Sequence, residues 1–143
     1  MLARIRKSME EKDEGFTLIE LLVVMIIIGV LAAIAIPVFL NQRKKAQDSA
    51  AKADVSTIGK EVATYYVDNT AAPVVAQAGN RYTVNAVDAG ASSSGVLLFN
   101  QFFASDSSWC VTVRNSKGDK AVVGYKYSAA GGLAEGACTA ATG

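Results

Sequence analysis

The feature that most constrains this chain is an uncharged apolar run from Leu21 to Leu40. A helix of about 20 apolar residues spans roughly 30 Å, which is the thickness of the hydrocarbon core of a bilayer. A segment dense in charge precedes the run, and one acid, Glu20, stands directly before it. The pattern predicts a membrane-spanning helix near the N-terminus. Since a carboxylate in lipid costs a few kcal/mol, Glu20 calls for a partner.

The order of polar and apolar segments differs from that of a secretory signal peptide. In a signal peptide the small-residue cleavage site follows the apolar stretch. Here the small residue, Gly15, precedes it. Cleavage after Gly15 would remove a polar leader, keep the apolar helix and create a new amine on Phe16. That amine would lie four residues before Glu20, on the same helical face and at the positive end of the helix dipole.

The ten residues from Gly15 to Val24, GFTLIELLVV, resemble the class III signal of type IV pilins and pseudopilins. In that family a membrane-embedded prepilin peptidase cuts after the glycine and methylates the new N-terminal residue. The resemblance implies cleavage between Gly15 and Phe16, N-methylation of Phe16, and a need for Glu20 in filament assembly. Pro37 occupies the position where many members carry a helix-bending proline.

Gly29 and Pro37 are weak points of the predicted helix. Glycine costs about 1 kcal/mol in a helix interior and proline about 3 kcal/mol. The resemblance implies that the section between them can lose helicity when subunits pack in a filament. An ordinary kinked membrane helix is the alternative interpretation.

Beyond Leu40 the pattern predicts the amphipathic half of the same helix. Apolar residues recur at spacings of four and three, which is typical of one helical face; they are Ala51, Val55, Ile58, Val62 and Tyr65. Asp48 is assigned with the basic residues to positions largely off this stripe. The predicted division is a removed leader (1–15), a transmembrane and filament-core helix (16–40) and a globular domain (41–143). That domain comprises an amphipathic helix (41–67), a variable loop region (68–95), and a sheet with a pinned C-terminal loop (96–143).

The C-terminal half predicts an antiparallel sheet. The loop region is rich in small residues and holds one possible strand, Arg81 to Val87. Phe102-Phe103 is interpreted as a helical turn or a buried loop. The expected strands are Val96–Phe99, Trp109–Arg114 and Ala121–Ser128, with a hairpin turn at 115–119. The fold class is therefore α+β, with a long N-terminal helix packed on a small antiparallel sheet of about 3–4 strands.

The two cysteines, Cys110 and Cys138, both lie in the C-terminal third. An exported chain meets an oxidising environment, which favours a disulfide between them. Many pilins close their C-terminal region in this way. Two separate buried thiols are the alternative.

Composition and motifs point away from catalysis. The net charge is +1 and histidine is absent, so the commonest general base and metal ligand is missing. We find no phosphate-binding glycine motif, nucleophile elbow or calcium loop. We therefore expect no enzyme activity, no catalytic residue, no metal, no cofactor, and no strong direct partnership with nucleic acid. The basic run Arg43-Lys44-Lys45 is assigned to anionic lipid head groups rather than DNA.

Three functions compete at this stage. The first is a pilin, which forms a homo-oligomeric helical filament with the help of prepilin peptidase and a pilus assembly machinery in the cytoplasmic membrane. The second is a pseudopilin of a type II secretion or DNA-uptake machine. The third is a single-pass membrane-anchored binding domain. For the pilin we expect a membrane precursor with its N-terminus inside the cell, and then a pilus at the cell surface.

Overall fold

A computed structural model describes residues 15–139 of the 143-residue chain. Apart from Gly15, the predicted leader lies outside the described residues. The chain divides into an N-terminal unit that ends at Phe39 and a globular unit that begins at Leu40. One helix, α1 (Leu18–Asp68), supplies the described secondary structure of the first unit and continues into the second. The predicted helix from about Phe16 to Val67 is confirmed.

The helix ends where turn-forming residues begin. Asn69 follows its last residue, and the Asn69 side-chain amide donates to the Tyr65 carbonyl at 3.0 Å. This bond satisfies one of the carbonyls that the last turn leaves without an intrahelical donor. Asn69 therefore helps to end the helix, close to the predicted boundary at residue 67.

Seven strands follow the helix and form two antiparallel sheets of three and four strands. The first sheet has the order β1-β2-β3, and the second has the order β4-β5-β6-β7. Their bounds are β1 Val75–Ala78, β2 Arg81–Val84, β3 Val87–Ala91, β4 Val96–Ser105, β5 Ser108–Asn115, β6 Tyr125–Ser128 and β7 Gly132–Glu135. All neighbours in each sheet are consecutive in sequence, so both sheets are simple meanders.

A glutamine side chain joins the two sheets. The Gln77 amide donates to the Val96 carbonyl at 3.1 Å, and its oxygen accepts the Leu98 N–H at 2.8 Å. One side chain of β1 thus extends the backbone hydrogen bonding of β4.

The core of the globular unit lies between the second half of α1 and the sheets. The predicted helical stripe is confirmed, because Ala51, Val55, Ile58 and Val62 are fully buried and Tyr65 packs against them. From the sheets come buried residues of both faces of β5, together with Tyr82 of β2 and Tyr125 of β6. Gly59 also faces this core, where its missing side chain leaves room for the Tyr127 ring.

Several strand predictions were wrong in detail. The region 68–95 is not a loop region with one strand, because it forms the complete first sheet. Phe102-Phe103 belongs to β4 and forms neither a helical turn nor a loop. The strand predicted from Ala121 begins only at Tyr125, since residues 121–123 form turns. The pinned C-terminal loop contains an additional strand, β7.

The causes of these errors are local. The strands of the first sheet are four or five residues long, and β1 and β3 are rich in alanine, which carries little strand propensity. Their pairing instead depends on hairpin geometry. Asn85 and Ala86 adopt φ values of 50° and 64° between β2 and β3, and Val84 pairs with Val87 across them. Two successive residues with positive φ are typical of a tight two-residue hairpin.

Candidate functional site

The start of α1 is fixed by a capping threonine. Glu20 N–H donates to Thr17 Oγ1 at 3.3 Å, and Leu21 N–H donates to the Thr17 carbonyl at 3.2 Å. A threonine at this position satisfies one of the free N–H groups of the first turn. Glu20 consequently lies in the first turn, where the helix dipole favours a negative charge.

Gly15 and Phe16 precede the helix and are exposed. The Phe16 side chain is 85% exposed, and a side chain placed at Gly15 would meet no atom within 4 Å. The peptide bond between them therefore lies in an accessible, non-helical segment. This is the geometry that a peptidase requires of its substrate, although cleavage at this bond stays a prediction.

The Glu20 carboxylate has no hydrogen-bond or ion-pair partner within residues 15–139. In the uncleaved chain Phe16 carries no free amine that could supply one. If the segment enters lipid, the compensating charge has to come from another molecule or from a newly formed N-terminus. Its role in assembly remains a prediction.

The apolar surface of the first unit surrounds the helix. From Leu18 to Phe39 every residue is exposed except Ala32, which is half-buried. Within the described chain, α1 is the one helix long and apolar enough to cross a membrane. Gly29 and Pro37 both lie inside the continuous helix, so the uncomplexed chain keeps helical structure at these positions. Their loss of helicity on assembly is untested.

Two acidic residues of α1 are buried in the globular unit, and sequence reasoning missed their role. Asp48 is 7% exposed and Asp54 is 6% exposed. One Asp48 oxygen accepts the backbone N–H groups of Asp119 (2.9 Å), Lys120 (3.1 Å) and Ala121 (2.9 Å). The assignment of Asp48 to positions off the stripe was wrong. Asp48 lies three residues before Ala51 and so shares its helical face.

Asp54 makes an equivalent contact with the segment after β3. Its carboxylate accepts the Ser93 N–H at 2.7 Å, the Ser93 hydroxyl at 2.7 Å and the Tyr82 hydroxyl at 3.0 Å. Burial and the neighbouring Asp54 charge raise the pKa of Tyr82. The two aspartates thus hold two different connections of the sheets against α1.

The C-terminal segment is attached to the second sheet by a disulfide between Cys110 and Cys138, as predicted. Their Cα atoms are 5.8 Å apart. Two further bonds support the link, because Cys138 N–H donates to Thr112 Oγ1 at 2.8 Å and the Asn100 amide donates to the Cys138 carbonyl at 3.0 Å. In the part of the chain that the structure describes, no group of three His, Cys, Asp or Glu side chains could hold a metal.

Comparison with known proteins gives two kinds of match. Residues 12–36 match the family profile described as "Prokaryotic N-terminal methylation motif". The chain is 36% identical over 109 residues to "Type IV wide pilus major component PilA4" of Thermus thermophilus, which covers 73% of this chain and 76% of the relative. It is 34% identical over 96 residues to "Fimbrial protein EcpC" of Eikenella corrodens, covering 62% and 63%.

The second kind of match is shorter. "Type II secretion system core protein G" of Dickeya chrysanthemi is 35% identical over 69 residues, which is 48% of this chain and 45% of the relative. This chain therefore spans about half the length of the secretion-system relatives that it matches. No solved structure matches it.

Proposed function

Because the chain belongs to the family of type IV pilins and pseudopilins, whose members are structural and not enzymatic, we propose that it is the subunit of a type IV pilus. The observation that carries this proposal is the helix surface from Leu18 to Phe39, which apart from Glu20 is apolar on every side and is exposed except at the half-buried Ala32. A helix that is apolar all round is stable only in a membrane or among other apolar surfaces. The subunit uses the membrane first and the filament core afterwards.

Maturation begins in the cytoplasmic membrane, with the N-terminus inside the cell. Prepilin peptidase cleaves after Gly15, in the accessible segment before the helix, and Phe16 becomes the N-terminal residue. Methylation of its amine follows. The leader is removed, and the whole of α1 remains on the mature subunit.

Assembly then uses the unpartnered Glu20. The pilus assembly machinery moves a processed subunit beside its neighbours, and the Phe16 amine of one subunit meets the Glu20 carboxylate of another. A buried charge without its partner costs several kcal/mol, so only helices in the correct stagger satisfy both groups. Cohesion comes from apolar packing, whereas the charge pair sets the register. The section from Gly29 to Pro37 adapts its helicity as the subunits pack.

The proposal is tested by intact-mass and N-terminal peptide mass spectrometry on filaments sheared from cells. We expect a chain that begins at Phe16 and carries one added methyl group. An intact leader on membrane-bound protein would refute the pilin proposal and support the membrane-anchored binding domain.

The Glu20→Ala subunit tests the register mechanism. It should be cleaved and folded but should yield few sheared filaments. Glu61→Ala, which changes an exposed acid in the globular part of the same helix, is the matched control and should assemble normally. Normal filament yield from Glu20→Ala would contradict the mechanism.

A pseudopilin of a secretion or DNA-uptake machine is the second candidate, and the matches to core protein G favour it. Such a subunit would undergo the same processing but would form a short filament inside the envelope. Correctly processed protein that is confined to the membrane fraction, with none in the sheared material, would support this candidate.

A further inference from the structure

A basic groove lies at the start of the globular unit, between the helix and the connection from β5 to β6. It consists of two adjoining cavities of about 170 and 300 Å³. Both cavities are lined by Lys45 and Asp119, which makes them parts of one groove. Lysines outnumber aspartates four to two along its walls; the lining residues used below are Lys44, Lys45, Asp48, Lys52, Asp119, Lys120 and Tyr125.

The groove keeps a small net positive charge, and within the described chain most of its lysines are not in ion pairs. Within residues 15–139, Lys44, Lys45 and Lys52 form no ion pair. Lys120 is the exception, because its ammonium pairs with Glu135 at 2.6 Å. The Asp48 carboxylate is already occupied by three backbone N–H groups. Asp48 keeps its negative charge, so Asp48 and Asp119 together oppose the three unpaired lysines.

A buried hydroxyl without a partner adds a second, independent observation. Tyr125 is 1% exposed, and its hydroxyl is the single buried side-chain polar atom among residues 15–139 that lacks a hydrogen bond. Burial raises the pKa of Tyr125, so the hydroxyl keeps its proton as a potential donor. The Lys52 ammonium lies 5.0 Å from the centroid of the same ring. Buried polar groups are nearly always satisfied, so a missing ligand is a physical explanation for this hydroxyl.

We infer that this groove binds a phosphate group, held by Lys45 and Lys52 and completed by the Tyr125 hydroxyl. Several ammonium groups around one neutral hydroxyl donor suit a compact anion that carries several acceptor oxygens. Phospholipid head groups and soluble phosphate share this chemistry. The lipid source is supported by position, since Lys45 follows Leu40 by five residues, about 8 Å along a helix, and helical side chains lean towards the N-terminus. The inference requires neither cleavage nor polymerisation, and so stands apart from the pilin proposal.

The test measures the reactivity of each lysine with an acetylating reagent by mass spectrometry. The full chain is placed in nanodiscs of phosphatidylcholine, in nanodiscs that also contain phosphatidylglycerol, and in detergent with or without inorganic phosphate at constant ionic strength. We expect Lys45 and Lys52 to react about fivefold more slowly in nanodiscs that contain phosphatidylglycerol than in nanodiscs of phosphatidylcholine alone. Lys60 is the internal control, because it is exposed on the same helix but lines neither cavity.

If the lysines are protected in phosphatidylglycerol nanodiscs but not by inorganic phosphate, the ligand is a lipid head group. If inorganic phosphate protects them as well, the groove is a general phosphate site. Equal protection of Lys60, or no protection of Lys45 and Lys52 in any arm, would overturn the inference. Two variants sharpen the test. Tyr125→Phe should weaken the protection, whereas Asp119→Asn removes one of the two opposing carboxylates and should strengthen it. Unchanged protection in both variants would also overturn the site.

Discussion

Replacement of Asp48 by alanine should destabilise the globular unit strongly, although aspartate is a polar residue on a helix. The substitution removes the acceptor of three backbone N–H groups. Ala121 is fully buried, so its N–H group cannot form a hydrogen bond with water instead. Leaving this group unpaired should lower the free energy of unfolding by about 1–3 kcal/mol. Asp119 and Lys120 are exposed, and water can replace their lost bonds at about 0.5–1 kcal/mol each. The expected loss of unfolding free energy is about 3 kcal/mol.

Asparagine at the same position separates charge from hydrogen bonding. Its side-chain oxygen can still accept the three N–H groups, but without the negative charge. Since charge-assisted hydrogen bonds are roughly twice as strong as neutral ones, we expect Asp48→Asn to cost about 1–2 kcal/mol. Glu61→Ala is the matched control, because it removes an exposed acid from the same helix and should change stability by less than about 0.5 kcal/mol.

The assay is urea unfolding of the full chain in mild detergent, followed by tryptophan fluorescence. Trp109 is the only tryptophan, is 2% exposed and stacks on Tyr127, so its emission reports on the globular unit. The order of stability should be parent, then asparagine, then alanine. The reasoning is refuted if Asp48→Ala unfolds within 0.5 kcal/mol of the parent, or if asparagine is as harmful as alanine.

Three further predictions use the same assay. Gly59→Ala should destabilise by about 1 kcal/mol despite alanine's better helix propensity, because the new Cβ would lie under 3.0 Å from three Tyr127 side-chain atoms; a gain in stability would contradict this packing. The pKa of Tyr82 is raised in the folded state, so folding makes this hydroxyl hold its proton more tightly. The contribution of Tyr82 to the free energy of unfolding should be constant below the ordinary tyrosine pKa of 10.0. Above that pH the free energy of unfolding should fall by up to about 1.4 kcal/mol per pH unit. Tyr82→Phe should reduce that slope, and an unchanged slope would count against the assignment. Reduction of the Cys110–Cys138 bond, which spans 28 residues, should lower the free energy of unfolding by about 3–4 kcal/mol. The variant with both cysteines replaced by serine should lose the same amount. Equal stability with and without reductant would disprove the contribution of the bond.

Features encoded by strong local patterns were predictable from sequence. The 3.6-residue stripe from Ala51 to Val62 identified the core face of the helix, and the predicted strand Trp109–Arg114 lies within β5. The disulfide was predicted from the presence of two cysteines in a chain expected to be exported. Each depends on residue types with strong preferences, so neighbouring sequence is enough to identify it.

The features that were missed depend on contacts between distant segments. In the first sheet, β1 and β3 are short and have small side chains that give little local signal, and the pairing of the three strands depends on closure of the hairpins. From the sequence alone, Asp48 looks like an exposed acidic residue on a helix. Its three N–H donors lie in the connection after β5, far along the chain, so only the folded structure reveals the contact. The Tyr125 hydroxyl can be recognised as unpaired only when every neighbouring donor and acceptor has a position.

The apolar surface of the first unit has a consequence for how sequence can vary there. Because Leu18 to Phe39 is apolar on all sides apart from Glu20, no stripe of residues distinguishes one helix face from another. In the proposed membrane and filament states, lipid tails and neighbouring helices would therefore meet nearly equivalent surfaces whichever way the helix turns. Exchanges among leucine, isoleucine and valine should be close to neutral in this segment, whereas moving its lone acid by one position would rotate that charge by about 100°. We therefore expect the function of this segment to depend on its length, its apolarity and the position of its single charge.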